Sequence, residues 1–519
     1  MPLPRLNQLV TQIRERRRLA LPLALVAMGS FMPAANAQDV AQADDHDPIA
    51  HLGDYAHEHM CKRANHPNAR FLCKGLRLIN ADGTHEIARA TPRATPMGYG
   101  PSDLQSAYAL DPSLGDGMTV GIVDAFGYSK AEADLAMYRS TFGLPACTSA
   151  SGCLKIVGQD GGAPPADPPA NSKNAEWNGE AALDIDMVSA ACPKCKIVLV
   201  LVNSDLDDGL EVGQQTAATL GVNVISNSWG GPDTDPSSEE HYFMTTPAVG
   251  IFVASGDLGY DNQDSSPSGP DYPSTSSYAI GVGGTALTRT TANARGWSEL
   301  PWGEDSGQGA AGSSCSAMIP KPSYQAAVIP DSVCKFRAAA DTSAVASLKT
   351  GVAVYQGGWG VAGGTSVASP LVATIFAMNG EALAGPSLPY LHPEAFTDVT
   401  GGTTANSNDS TGQCGAPLCV AGTGWDGQTG MGTPIGSALH MLADPPDMAV
   451  PPDFSVVTSS HGGGGGSGNS DGGIASSHDN GCGCTLGGAS SSSPANGLLA
   501  LPLALALLGL TIYRRRRRA

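Results

Sequence analysis

The run Gly363-Gly364-Thr365-Ser366-Val367-Ala368-Ser369-Pro370 constrains the chain more than any other stretch. Two glycines followed by small residues and a proline describe a tight turn into a helix whose first turn carries no bulk. A serine placed there can reach a carbonyl carbon that larger neighbours would block. The same letters also fit a small-residue packing turn into a buried helix. The motif therefore has to be weighed with its companions.

The first companion is Glu180-Ala181-Ala182-Leu183-Asp184, in a segment whose pattern predicts a helix from about 178 to 191. Positions i and i+4 share a helix face, and like charges there repel mildly unless something compensates. A solvated acidic face would explain the pair on its own. The second companion is Ser255-Gly256-Asp257-Leu258-Gly259, after the apolar run Val249-Gly250-Ile251-Phe252-Val253-Ala254. That reads as a buried strand feeding a glycine-flanked turn, where an aspartate by itself is an ordinary turn former.

Taken together and in this order, the Glu/Asp pair, the aspartate and the serine resemble the sedolisin family of serine-carboxyl peptidases. The resemblance runs from about Tyr99 to about Leu442. It includes Gly98-Tyr99-Gly100-Pro101-Ser102-Asp103-Leu104-Gln105-Ser106-Ala107-Tyr108, the strand Thr119-Val120-Gly121-Ile122-Val123-Asp124-Ala125, and Asn227-Ser228-Trp229-Gly230-Gly231, which lines the substrate cleft in that family. It implies that Ser366 is the nucleophile, Glu180 the general base, Asp184 the residue that orients Glu180, and Asp257 the oxyanion donor. A serine hydroxyl needs a base, and the base needs a group that holds it. Asp257 can donate a hydrogen bond only when protonated, so the roles imply acid activity, with an optimum on the order of pH 3 to 5 if pKa shifts are moderate. An ordinary subtilisin would need a histidine in a small-residue helix start, and none of the 11 histidines has that context. Asp124 stands on a strand where a subtilisin carries its aspartate, and without the histidine it reads as structural.

A second site is implied near the end of this region. Phe396-Thr397-Asp398-Val399-Thr400, Ala421-Gly422-Thr423-Gly424-Trp425-Asp426 and Thr429-Gly430-Met431-Gly432-Thr433-Pro434 resemble the family's calcium loop. The implied ligands of a calcium ion are Asp398, Gly422, Gly424 and Asp426, with the Val399 carbonyl. Two carboxylates and backbone carbonyls supply the oxygen shell that a hard cation prefers. A metal-free pair of turns is the other reading.

The two ends read as export and anchoring signals. Arg5, Arg14, Arg16, Arg17 and Arg18 precede an apolar run from Leu19 to Phe31, and Ala35-Asn36-Ala37 offers a small-residue cleavage site, so residues 1–37 read as a signal peptide. Residues 38–95 are expected to be a short prosegment or N-terminal extension, with the polar stretch around His57, His59, Cys61 and His66 disordered rather than metal-binding. Residues 96–442 form the peptidase-like region and 443–481 a Pro/Gly/Ser-rich linker. Residues 482–519 combine Cys482 and Cys484, an apolar run and Arg514 to Arg518. That tail resembles Cys-containing sorting tails processed by myxosortase-type or rhombosortase-type enzymes, with a plain transmembrane anchor as the alternative.

An exported chain makes disulfides the default, and proximity pairs Cys61 with Cys73, Cys147 with Cys153, Cys192 with Cys195, Cys315 with Cys334, and Cys414 with Cys419. The formal charge is −19; without the five arginines and one glutamate of residues 1–37 and the five terminal arginines it becomes −28. So acidic a body argues against nucleic acid as a partner. Alternating apolar strands, such as Ile197 to Val202 and Val222 to Ser226, and helices predict an α/β, subtilisin-like domain with a mostly parallel central sheet flanked by helices. The expected molecule is an exported, acid-active endopeptidase, monomeric, acting on protein or peptide substrates and held at a membrane or cell surface by its tail, or secreted after the tail is processed. A catalytically silent surface binding protein and a tripeptidyl exopeptidase are the alternatives.

Overall fold

The computed structural model describes residues 56–80 and 96–443, apart from the short stretches 207–208, 234–238, 246–248, 261–268, 304–308, 381–384 and 405–413. The expected signal peptide, linker and C-terminal tail lie outside the described residues.

The core is an eight-stranded sheet. From one edge its path runs Trp297–Pro301, Ala279–Arg289, Gly250–Ala254, Val224–Asn227, Thr119–Ala125, Lys196–Val202 and Leu154–Gly158, and Thr342–Val345 also pairs with Ala279–Arg289. Every pairing is parallel except that of Ala279–Arg289 with Trp297–Pro301. Strands covered on both faces read as continuous apolar runs, and Lys196–Val202 does so, with six of its seven residues buried. The expected strands appear within two residues of their predicted ends, and the sheet is mostly parallel and flanked by helices, as the sequence implies.

Two helices bring the motifs to this sheet. Trp177–Ala191 packs against the Thr119–Ala125 strand, and Thr365–Met378 packs against it and against several sheet strands. Fourteen of the fifteen residues of Trp177–Ala191 are buried, so Glu180 and Asp184 face protein and not the solvated surface their spacing also allowed. The Thr365–Met378 helix is buried throughout, with Pro370 inside it. Proline has no N–H, so the Ser366 carbonyl loses its usual helix donor. The Ser228 hydroxyl lies 3.4 Å from that carbonyl and faces it as a donor.

Gly364 begins this helix at φ 93°, a left-handed conformation that glycine tolerates. A side chain there would also collide, since a Cβ would stand 2.2 Å from the Lys74 carbonyl oxygen and 2.8 Å from Asp257 Oδ2. All five cysteine pairs expected from proximity are disulfides.

Residues 56–80 differ from the disordered polar segment expected of them. Ala56–His59 pairs with Leu76–Ile79, which continues onto Trp359–Gly363, the strand that leads into the Ser366 helix. Leu72–Cys73 pairs antiparallel with Trp229–Pro232. The polarity that implied disorder is taken up by specific partners: His66 Nδ1 lies 2.6 Å from Asp205 and its Nε2 3.4 Å from Glu176, while Arg70 pairs with Glu239. Burial works against charge on His66, but the two carboxylates outweigh it and hold the imidazole up to about 9. Phe71, fully buried against Trp229 at 4.9 Å between ring centres, supplies the apolar contact.

Candidate active site

Three neighbouring parallel strands deliver groups to one end of the sheet. Asp124 lies near the carboxyl end of Thr119–Ala125, Ser228 follows Val224–Asn227, and Asp257 follows Gly250–Ala254. In open α/β sheets, sites form beyond the carboxyl ends of the strands. The Glu180 and Ser366 helices close the same space, and Glu180, Asp184, Asp257, Ser366 and Asp124 are all at most 1% exposed.

Ser228 is the junction. Its hydroxyl donates to Asp184 Oδ1 at 2.8 Å, and its carbonyl accepts from the Ser366 hydroxyl at 3.3 Å. Glu180 has no partner in hydrogen-bond geometry among the described residues, yet Ser366 and the Gly75 backbone stand near enough to favour its charge. Burial is the stronger influence, Asp124 adds repulsion, and the Glu180 carboxyl is held well above the ordinary range. Asp184 is raised in the same way, by burial first and then by Asp124 and Glu180.

Asp257 accepts from the Thr365 N–H and the Thr365 hydroxyl, both at 2.8 Å and both on Oδ1, while Oδ2 has no partner among the described residues. Burial pushes its carboxyl up to about 7; the two Thr365 hydrogen bonds and the Lys74 charge oppose this, and Asp271 adds to it. If the acid carries its proton on Oδ2, the oxygen not already accepting, it has a donor to offer the site.

The structure thus brings all four catalytic candidates together. Reading Asp124 as merely structural missed a participant in their electrostatics. Both of its oxygens are buried without partners among the described residues, and burial raises its carboxyl to about 8. Its place at the carboxyl end of a central strand was visible in the sequence, but its nearness to Glu180 and Asp184 depends on strand order.

The implied calcium ligands gather at a second place. Asp398 Oδ2 accepts from the Gly424 N–H at 2.9 Å, and Asp426 Oδ1 accepts from the Thr429 N–H and hydroxyl at 3.1 and 2.7 Å. Asp398 Oδ1 and Asp426 Oδ2 are buried without a partner among the described residues. Two spare carboxylate oxygens beside open glycine turns fit a hard divalent cation, since a Cβ at Gly422 or Gly424 would meet nothing within 4 Å.

Residues 170–424 match the subtilase family. Kumamolisin of Bacillus sp. (strain MN-32) is 31% identical over 378 residues, covering 68% of this chain and 65% of kumamolisin. A solved structure of Pseudomonas sedolisin, a serine-carboxyl proteinase complexed with two molecules of pseudo-iodotyrostatin, aligns with 67% of this chain and 98% of that one, at 25% identity and a TM-score of 0.53. The fold is subtilisin-like. The tripeptidyl-peptidase sed1 of Aspergillus fumigatus (strain ATCC MYA-4609 / CBS 101355 / FGSC A1100 / Af293) is 28% identical over 269 residues, covering 42% of this chain and 40% of that protein. The chain spans less than two thirds of the length of kumamolisin and of sed1. What the chain shares with these relatives and with the serine-carboxyl proteinase structure is the fold.

The subtilisin-like domain should be an acid-stable one. Asp124 and Asp257 have folded-state values of about 8 and about 7, above the ordinary aspartate value near 3.8. A raised acid binds its proton more tightly when folded, so its stabilising contribution is complete below about pH 4 and is lost as pH rises through 7 to 8. His66, raised to about 9, acts in the same direction. Unfolding free energy measured in urea should be lower at pH 8 than at pH 5 by a few kcal/mol, since each tenfold tightening of proton binding is worth about 1.4 kcal/mol. A protein more stable at pH 8 would show that this carboxyl cluster is not protonated in the fold.

Proposed function

We propose that the chain is an exported, acid-active serine-carboxyl endopeptidase. The observation that supports this most is Asp257: a buried acid held up to about 7, with its free oxygen and a peptide carbonyl, that of Lys74, crowding the same face of Gly364 next to the nucleophile turn. In this reading Ser366 Oγ attacks the substrate carbonyl, Glu180 takes the hydroxyl proton, and Asp184, tied to Ser228, keeps Glu180 in position. The Ser366 N–H and protonated Asp257 receive the charge that develops on the carbonyl oxygen. Glu180 then returns its proton to the leaving amine, and water repeats the sequence on the acyl-enzyme.

Similarity to sed1 favours one second reading, release of tripeptides from a free amino end. Mapping the cuts in a denatured protein by mass spectrometry separates the two, because an endopeptidase cuts internally.

Ser366→Ala should lower kcat/KM by at least about a thousandfold while the thermal melt stays near that of the wild type. The rate should be bell-shaped in pH, since Glu180 must be ionised and Asp257 protonated, with the alkaline limb falling near pH 7. Asp257→Asn keeps a neutral donor, so it should retain part of the rate and lose that limb. A wild-type optimum above about pH 7.5, or an alkaline limb unmoved in Asp257→Asn, contradicts these roles.

Calcium is assigned to Asp398 and Asp426 with the carbonyls of Val399, Gly422 and Gly424. When bound, the ion neutralises two neighbouring carboxylates and clamps their loops. A ligand that binds only the folded state adds RT ln(1 + [L]/Kd) to stability, so a hundredfold excess over Kd is worth about 2.7 kcal/mol. Calcium should raise the melting temperature and a chelator should lower it; identical melts would remove the ion from this site.

Export and surface retention rest on the sequence of the two ends. Deleting residues 480–519 should move the enzyme from the cell surface to the medium, and unchanged partition between cells and medium would exclude the tail as an anchor.

A further inference from the structure

The cleft of the described structure already holds a peptide, and it is the protein's own. Residues 72–73 run antiparallel to Trp229–Pro232, with Leu72 opposite Gly230 and Cys73 opposite Trp229. The next residue continues the pairing, as the Lys74 N–H donates to the Ser228 carbonyl at 2.9 Å. Its own carbonyl accepts from the Ser366 N–H at 3.3 Å, which is where a carbonyl under attack by Ser366 has to place its oxygen. Beyond it, Gly75 lies against the base: a Cβ there would be 2.2 Å from Glu180 Oε2. The chain then leaves the cleft as Leu76–Ile79, paired with the strand that enters the Ser366 helix.

The side chains match this placement. The Lys74 ammonium lies 2.7 Å from Asp271 Oδ2, with both residues buried. To reach it, the lysine stem crosses Gly230, whose Cβ position is 3.4 Å from Lys74 Cε and 3.1 Å from Asp271 Cβ. Three residues earlier, Phe71 packs against Trp229 and Tyr272. The Cys61–Cys73 disulfide closes a loop of separation 12 directly before Lys74. A loop stiffened in its bound shape gives up less entropy when it occupies a groove.

We propose that residues 71–76 are the enzyme's own first substrate, seated with the Lys74–Gly75 bond at Ser366, and that Asp271 selects a basic side chain on the acyl side of the bond that is cut. This rests on the peptidase reading above. Ser366 Oγ adds to the Lys74 carbonyl carbon and its proton passes to Glu180. The Lys74–Gly75 C–N bond breaks as that proton moves to the Gly75 nitrogen. Water then hydrolyses the Lys74 ester, releasing a Lys74 carboxylate, a Gly75 amine and free Ser366. Until the acyl-side piece leaves, the cleft is filled, so the short segment ahead of the domain blocks the enzyme by occupying it.

The test uses the full chain. Purified wild-type protein is incubated at about pH 5, denatured and analysed by intact mass and N-terminal sequencing. A new amino end at Gly75 is expected, and it should be missing from Ser366→Ala. In parallel the same wild-type sample is given a denatured protein and two synthetic peptides, Phe-Leu-Ser-Lys-Gly-Leu and the same sequence with Glu in place of Lys. The lysine peptide should be cut after its fourth residue at least tenfold faster, and Asp271→Asn should shrink that ratio. Wild-type protein that digests the denatured chain but never acquires the Gly75 end overturns the self-substrate while leaving the peptidase standing. Equal cutting of the two peptides overturns the role of Asp271. A sample inert toward every substrate overturns both this inference and the peptidase reading beneath it.

Discussion

Ser228 is where the separate parts of this molecule become one site. It follows a central parallel strand, and its polar groups reach three other parts of the chain. The hydroxyl lies 2.8 Å from Asp184 on one helix and 3.4 Å from the Ser366 carbonyl on the other. One hydroxyl proton cannot serve both at once, and the shorter, carboxylate bond is the stronger. The Ser228 carbonyl accepts from the Ser366 hydroxyl and from the Lys74 N–H. Moving this one residue would therefore shift the carboxyl pair, Ser366 and the chain lying in the cleft together.

Around that junction the sheet end collects more acid than a dry site can ionise. Asp124, Glu180, Asp184 and Asp257 are buried, and each is raised with burial as the leading cause. Charging them all would place like charges in a low-dielectric space, so protons remain on some of them well above the pH at which free carboxyls lose theirs. Which acid holds the proton is then decided by hydrogen bonds. Asp184 receives one from Ser228, whereas Asp124 receives none among the described residues. Asp257 receives two on a single oxygen, which leaves the other oxygen as the natural place for its proton.

Much of this was legible where the cause is local. The Glu180 helix, the strand before Asp257 and the glycine turn before Ser366 follow from residue spacing, and the disulfide partners follow because each pair is at most 19 residues apart. Fold class followed from the alternation of apolar strands and helices. What could not be read was anything set by strand order or by a long-range pairing. Asp124 touches the carboxylate cluster only because its strand lies beside Val224–Asn227 and beneath the Glu180 helix. Residues 56–80 looked too polar to fold, and they are ordered by partners far along the chain, including Glu176, Asp205 and Glu239. Local composition contains no record of such partners.

The glycines of the cleft carry the same lesson in a sharper form. In the sequence, Gly363-Gly364 read as turn formers and Gly230-Gly231 as part of the cleft motif, and Gly364 does adopt a left-handed turn. Their other property is that they leave room for a chain. A Cβ at Gly231 would stand 2.1 Å from the Arg70 carbonyl oxygen, and one at Gly364 would stand 2.2 Å from that of Lys74. The chain in the cleft answers with a glycine of its own at Gly75, against Glu180. Backbone can approach backbone this closely only where side chains are missing on the facing side. These positions line the path of an extended peptide past Ser366, from the Arg70 carbonyl through Lys74 to Gly75. The cleft is therefore shaped for main chain first, and side-chain selection is left to what lies beyond the glycines, as Asp271 does past Gly230.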